Sequence, residues 1–285
     1  VSNNVMAADK KIIFITGCST GIGFCAAKTL VERGYHVIAG VRNMASADAL
    51  REANIEDIVE IDLASSQSIE RAVQQVLAIS KGNLYALFNN AAYGQPGAVE
   101  DLTRDTLRKQ FETNFFGTHE LTIKLLPTLL QQKDARLIQN SSILGFAAMP
   151  MRGAYNASKF ALEGLTDTLR LELAGSSLKI SLIEPGPIES HFRKNALVAL
   201  EENVDIHNTR HSKMYKTAIE RLRKVGPAAP FTLPADAVVA KLIHALESRR
   251  PKQRYFVTVP TYAMAILKVL LPGRWMDYVL RKAGS

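Results

Sequence analysis

The chain has 285 residues, enough for one large α/β domain or two small ones. Its 47% hydrophobic and 22% charged content is ordinary for a soluble globular protein and excludes a low-complexity or fibrous chain. The net charge of +8 sits wholly in the last third, since residues 1–190 hold 18 Lys+Arg against 20 Asp+Glu, and residues 191–285 hold 17 against 7. Such a basic third suggests nucleic acid, but no helix-turn-helix, zinc-finger or RNP pattern accompanies it, which argues against that partner.

The polar N-terminus, Val1 to Lys11, lacks the apolar segment of a signal peptide. Two cysteines, Cys18 and Cys25, lie seven residues apart in one loop–helix unit without CxxC spacing. No bridge is expected, which fits a reducing, cytoplasmic compartment.

Apolar runs then alternate with helical patterns. Strands are predicted at Ile12–Ile15, His36–Val41, Ile58–Ile61, Tyr85–Phe88, Arg136–Asn140 and Lys179–Ile183, with helices near 21–33, 46–53, 66–80, 103–132 and 153–174. Short β runs separated by helices predict a parallel sheet covered on both faces. With right-handed crossovers this is a Rossmann-type doubly wound α/β fold. No repeat or linker divides the chain, so residues 1–285 are read as one domain with a core over 10–190. A basic excursion at 187–233, with one helix near 208–225 and the exit Gly226-Pro227-Ala228-Ala229-Pro230, reads as a lid. A helix near 235–248 and a strand near 254–258 follow, and residues 260–285 form a C-terminal extension.

The first strand runs directly into Thr16-Gly17-Cys18-Ser19-Thr20-Gly21-Ile22-Gly23, which opens the first helix. Glycines there let the backbone turn tightly and approach a pyrophosphate held by the helix N-terminus. A Gly-rich turn alone is weak evidence, and its place between strand and helix is what favours a dinucleotide site at Gly17, Ser19, Thr20, Gly21, Ile22 and Gly23. The second strand ends Ala39-Gly40-Val41-Arg42-Asn43. No acid stands there for a ribose 2′-hydroxyl, and Arg42 suits the 2′-phosphate of NADP(H). Asp62, after the third strand, reads either as an acceptor for the adenine amino group or as a cap on the next turn.

Tyr155 and Lys159 are four residues apart, so on a helix they share a face. A cation about 5 Å from a phenol, at an effective dielectric of about 20, favours the phenolate by roughly 3 kcal/mol, or about two pKa units. That would bring the phenol towards acid/base work near neutrality. Tyr278 and Lys282 repeat the spacing near the C-terminus. Spacing alone therefore decides nothing. Ser142, thirteen residues before Tyr155, and the glycine turn set the first pair apart.

Thr16–Gly23, Asn89-Asn90-Ala91, Asn114, Ser142, Tyr155 with Lys159, and Pro185-Gly186 occur in an order and spacing that resembles the short-chain dehydrogenase/reductase family, over roughly residues 10–190. Arg42 and the Pro185-Gly186-Pro187-Ile188 run look most like its NADP-preferring branch, with hydroxysteroid and retinol dehydrogenases. Ala92 departs from the family's Asn-Asn-Ala-Gly. The resemblance implies that Tyr155 exchanges a proton with the substrate oxygen, that Lys159 tunes it and binds the nicotinamide ribose, and that Ser142 orients the carbonyl. It further implies that Asn114 anchors water in a proton relay, although a helix asparagine can equally be an ordinary polar residue. Asn89, Asn90 and Ala91 would wall the adenosine ribose, with Ile188, after Pro185 and Gly186, against the carboxamide. Helices 103–132 and 153–174 would build a homodimer or homotetramer, again by resemblance.

Tyr93, Phe146, Met149 and Phe192 are candidate pocket residues of low polarity, pointing to a lipophilic aldehyde or ketone and its alcohol; the same side chains could simply pack the lid. The apolar run Tyr262–Leu271 is too short to span a bilayer. Followed by Trp275, Tyr278 and Arg281-Lys282, it reads as a peripheral membrane contact, or as a helix closing the pocket or meeting a partner subunit. His207 and His211 have metal-ligand spacing without the HExxH glutamate, so no metal is assigned and the pair reads as a solvated helix face. A non-catalytic NADP-binding redox sensor is the alternative to an enzyme. Such a protein need not keep Asn114, Ser142, Tyr155 and Lys159 together.

Overall fold

Short runs rich in Ile, Val and Leu, apolar on consecutive residues, can be buried only if both faces of their sheet are covered. A computed structural model describes residues 10–227 and 229–284, and there these runs form one seven-stranded parallel sheet. The strands are β1 (Ile12–Thr16), β2 (His36–Val41), β3 (Ile58–Glu60), β4 (Leu84–Asn89), β5 (Ala135–Asn140), β6 (Leu178–Pro185) and β7 (Arg254–Val257), in the order β3-β2-β1-β4-β5-β6-β7. The N-terminal reading above rests mainly on residues 1–9, which with Ala228 and Ser285 lie outside the described residues.

The first helices are α1 (Gly21–Glu32), α2 (Asp48–Glu52), α3 (Ser66–Ser80), α4 (Arg104–Phe111), α5 (Thr118–Leu130) and α6 (Gly153–Glu172). Later come α7 (Phe192–Asn203), α8 (Ser212–Arg223), α9 (Asp236–Glu247), α10 (Val259–Leu270) and α11 (Gly273–Gly284). On one face Ala26, Ala27 and Leu30 of α1 join Val238, Leu242 and Leu246 of α9 against the sheet. On the other, Ile69 and Val76 of α3 and Leu121, Leu125 and Leu129 of α5 cover Phe14, Leu87 and Leu137. Because β1 has β2 on one side and β4 on the other, the chain reverses its winding there, and a crevice opens beyond the carboxyl ends of the strands.

Three departures from the sequence reading have local causes. The helix predicted over 103–132 is interrupted by a π-helical turn, Glu112–Gly117, between α4 and α5. The lid holds two helices rather than one: α7 was missed because only Ala196, Ala199 and Leu200 are buried, too sparse a stripe to announce a helix. His207 and His211 precede α8 rather than lying on it, and His211 Nε2 sits 2.6 Å from Glu100 Oε1. Cys18 and Cys25 are unbridged, and each thiol donates a hydrogen bond, to the Ile15 carbonyl and to Asp236 respectively.

Behind the carboxyl end of the sheet lies a buried charge cluster. The Arg254 guanidinium contacts Glu163 Oε2 and Asp167 Oδ2, each at 2.6 Å, and also Glu184, while Asp167 pairs with Arg170. Glu184 is fully buried, one of its oxygens has no partner, and burial together with the Glu163 charge pushes its carboxyl up to about 8. A native pKa raised above the unfolded one means the contribution is complete below the unfolded value and fades as pH rises through about 8. Thermal melts should therefore show stability lost from this group between weakly acidic pH and pH of about 8, and Glu184→Gln should flatten that slope.

Candidate active site

Three strand ends and one helix converge on a polar seam. Thr16 Oγ1, at the end of β1, accepts from the backbone N–H groups of Asn90 and Ala91, each at 3.0 Å. The Asn90 amide donates back to the Thr16 carbonyl at 3.0 Å, and its oxygen accepts from Asn140 Nδ2 at 2.9 Å. The Asn140 carbonyl, at the end of β5, in turn takes the ammonium of Lys159 at 2.7 Å. Asn140 was not singled out from sequence. Its signal was its position, a polar residue closing a fully buried strand.

This seam floors a cavity of about 1500 Å³. Pockets of ~300–1,000 Å³ commonly hold one small molecule, so the volume suits a dinucleotide with a second ligand beside it. Of the residues predicted for the cofactor, Gly17, Ser19, Thr20, Gly21, Ile22, Arg42, Asp62, Asn90, Ala91, Pro185, Gly186 and Ile188 line it. Gly23 and Asn89 do not. Gly23 backs the turn, where a Cβ would stand 2.1 Å from the Gly17 carbonyl oxygen. Asn89 points behind β4 and donates to Thr122 Oγ1 at 2.8 Å. Asp62 lines the cavity, and its carboxylate accepts from the Ala64 N–H at 3.0 Å, the turn contact read as its alternative. Thr20 stands at the N-cap of α1 without using its side chain as a cap. The first N–H groups of that helix are thus left for an anion.

Ser142, Tyr155 and Lys159 lie together on the cavity wall. Ser142 caps a short 3₁₀ turn after β5, its hydroxyl accepting from the Leu144 N–H at 3.1 Å, and it also hydrogen-bonds the phenol of Tyr155. Tyr155 and Lys159 are both buried on α6, with the ammonium 5.7 Å from the phenol ring centre. The simple Coulomb expectation for this pair is reversed by desolvation. Burial pushes the Tyr155 phenol far above its ordinary value, with the Ser142 hydrogen bond pulling the other way. Burial likewise brings Lys159 down to about 8, against the attraction of Glu163 one turn further on. Burial is the larger of the two influences on the phenol, and it opposes ionisation. By contrast Lys282 lies 5.0 Å from the Tyr278 ring centre on an exposed face of α11.

Asn114 is buried in the π-helical turn behind this wall rather than on it. Its side chain accepts from the Tyr93 N–H at 3.2 Å and donates to the Tyr93 carbonyl at 2.9 Å and to Ser158 Oγ at 3.2 Å. Tyr93, Met149 and Phe192 line the cavity, and the Phe192 ring meets Tyr155 edge-on at 5.3 Å. Phe146 does not: it packs on Phe256 at 5.7 Å, and its carbonyl accepts from Lys268 at 2.6 Å. The lid adds a face of α8 that sequence reasoning missed, with Met214, Ala218 and Leu222 beside Lys213, Thr217 and Arg221. Those two rows follow i, i+4, i+8 spacing, which the helix prediction over 208–225 already contained.

A uncapped helix start over a glycine turn, at the switch point of a parallel sheet, beside a buried tyrosine–lysine–serine group, defines a dinucleotide-binding oxidoreductase. A family model described as short chain dehydrogenase matches residues 11–200, and the chain belongs to the short-chain dehydrogenase/reductase family, whose fold binds a nicotinamide cofactor. It is 42% identical over 272 residues to the uncharacterized oxidoreductase YbbO of Escherichia coli, covering 95% of this chain and 94% of that protein. It is 35% identical over 271 residues to a 3-ketodihydrosphingosine reductase of Bacteroides thetaiotaomicron, covering 95% and 97%. A short-chain dehydrogenase/reductase from Burkholderia phymatum, solved in complex with NAD, shares the fold with a TM-score of 0.77 at 23% identity, over 97% of each chain.

The π-helical turn that seats Asn114 depends on one close approach. A Cβ on Gly117 would stand 1.8 Å from the Leu63 carbonyl oxygen, which is backbone and cannot move aside cheaply. Gly117→Ala should destabilise the protein by about 1–3 kcal/mol. Gly164→Ala, on α6 with nothing within 4 Å, should stabilise it by about 0.5–1 kcal/mol. Denaturant titration of the two variants checks both signs.

Proposed function

We propose that this enzyme interconverts a lipophilic aldehyde or ketone and its alcohol, using NADP(H), with Tyr155 as the proton-exchanging group. The observation that carries the reading is the buried Ser142–Tyr155–Lys159 group on the wall of a cavity that runs on to the Gly17–Ile22 turn and Arg42. Arg42 is exposed at the cavity, and positions 39–43 hold no acid. That suits a 2′-phosphate and leaves no acceptor for a bare ribose 2′-hydroxyl. The turn and the start of α1 would hold the pyrophosphate, Asp62 the adenine amino group, and Asn90 with Ala91 the ribose. Pro185, Gly186 and Ile188 would take the carboxamide end. When bound, the nicotinamide supplies or accepts the hydride.

The chain's own residues then manage the oxygen and its proton. The Ser142 hydroxyl donates to the substrate oxygen and holds it beside the phenol. Tyr155, kept protonated by burial, gives its proton to that oxygen as negative charge develops there. Lys159, fixed by the Asn140 carbonyl, stabilises the phenolate that remains. Asn114 holds the Tyr93 wall against α6 and keeps both sides of the cavity in register. The ring of Phe192 covers the phenol and keeps water from competing for its proton. A lipophilic substrate is supported by Met149, Phe192, Met214, Ala218 and Leu222 around the cavity. Of the two relatives, the Bacteroides protein is named for reduction of 3-ketodihydrosphingosine and YbbO for no substrate.

NADPH consumption across a panel of lipophilic aldehydes and ketones tests the reading, and preference for small polar sugars would overturn it. Tyr155→Phe should lower turnover by about 10²–10⁴-fold, with NADPH binding, read by fluorescence titration, retained. Arg42→Ser should remove a charge-assisted contact of about 1.5–3 kcal/mol, weakening NADPH binding by about 10–100-fold and leaving NADH binding unchanged.

A further inference from the structure

The two C-terminal helices, α10 and α11, carry apolar side chains on more than one face, and only the inner face is used inside the protein. Met264 and Leu267 of α10, Leu271 after it, and Met276, Val279 and Leu280 of α11 pack inward beneath Ile143, Leu144 and Tyr155. On the opposite side of α10, Tyr262, Ile266, Val269 and Leu270 form a second stripe at helical spacing, with Val269 84% and Leu270 70% exposed. On α11, Trp275 and Tyr278 are exposed as well, Trp275 at 65%. A groove of about 460 Å³ between Phe256, Tyr262, Ile266 and Leu270 runs beside the stripe. A helix apolar on all sides requires cover on all sides.

We propose that this face docks on an anionic lipid bilayer, lying in the interface without crossing it. Twelve residues of α10 span about 18 Å, short of the hydrocarbon thickness of about 30 Å, and among the described residues no helix is long and apolar enough to cross. The charge on α10 and α11 chooses the occupant. Residues 259–284 hold four cations, Lys268, Arg274, Arg281 and Lys282, against Asp277 alone, and Arg274 and Lys282 are exposed. They belong to a last third with 17 basic and 7 acidic residues. A second copy seated on this face would bring the same cations against one another, whereas anionic headgroups neutralise them. Trp275, Tyr262 and Tyr278 pair an apolar ring with a polar tip, the combination suited to the headgroup boundary. Pro260 and Met264 of α10 and Ala283 of α11 also line the large cavity, so the helices that carry the docking face bound the cavity on their inner side.

Docking is read without turnover, so its failure is separate from failure of the proposed reaction. Trp275 is the single tryptophan, and its emission reports on α11 alone. The full chain should co-sediment with vesicles of equimolar phosphatidylglycerol and phosphatidylcholine, with a blue shift of Trp275 emission. Binding should be about tenfold or more weaker on pure phosphatidylcholine, and weaker again at raised ionic strength. Val269→Asp with Leu270→Asp should lower binding to anionic vesicles about tenfold with an unchanged melting midpoint, since both side chains are already exposed. Arg274→Glu with Lys282→Glu should do the same if the first pair fails to fold. Equal recovery on both vesicle types, or none on either, overturns the proposal. So does a blue shift in vesicle-free solution that disappears on dilution, which would mark a second copy as the occupant.

Discussion

Lys159 has to keep a charge while almost wholly buried, and much of the site is arranged around that requirement. The α6 backbone carries the ammonium to the end of β5, where the Asn140 carbonyl accepts from it. Glu163, one turn further along α6, supplies the opposing charge. Burial still draws the lysine down to about 8, which shows how narrowly attraction holds the proton against desolvation. The same burial keeps the phenol of Tyr155 protonated. The two groups therefore divide their states by environment, and not by their mutual Coulomb energy alone.

Glu163 cannot be supplied cheaply at this depth. It shares Arg254 with Glu184 and Asp167, and Ser141 donates to its other oxygen at 2.6 Å. A buried carboxylate of this kind is tolerable only when its partners are fixed. Here they come from α6, β6, β7 and the residue after β5, so the packing of the sheet's far edge and the charge on Lys159 are coupled. On the other side, Asn140 leads through Asn90 to Thr16 and the glycine turn. A displacement of any strand end would be felt at both the cofactor turn and the phenol.

The lid and the C-terminal helices complete the cavity from outside the sheet. Phe192 reaches Tyr155 from α7, α8 presents paired apolar and basic rows, and α10 and α11 close the remaining side. These elements set what shape can enter, while the sheet sets what chemistry awaits it. The family model covers residues 11–200, which takes in the first six strands and most of α7, while α8 to α11 and β7 lie beyond it.

Much of this was legible in the residues alone. Consecutive apolar runs demanded a two-sided parallel sheet, Gly17–Gly23 marked the turn, and Ser142, Tyr155 and Lys159 could be grouped through spacing and family likeness. Periodicity says which face of an element is apolar, but not which neighbour covers it. Hence Phe146, read as a pocket wall, faces Phe256, and Asn89 turns to Thr122. The sheet and the cofactor turn were determined by local sequence, because strand hydrophobicity and glycine placement act over a few residues. Only the tertiary structure decided the direction in which each member of the pair is shifted, because desolvation comes from atoms distant in sequence that close over it.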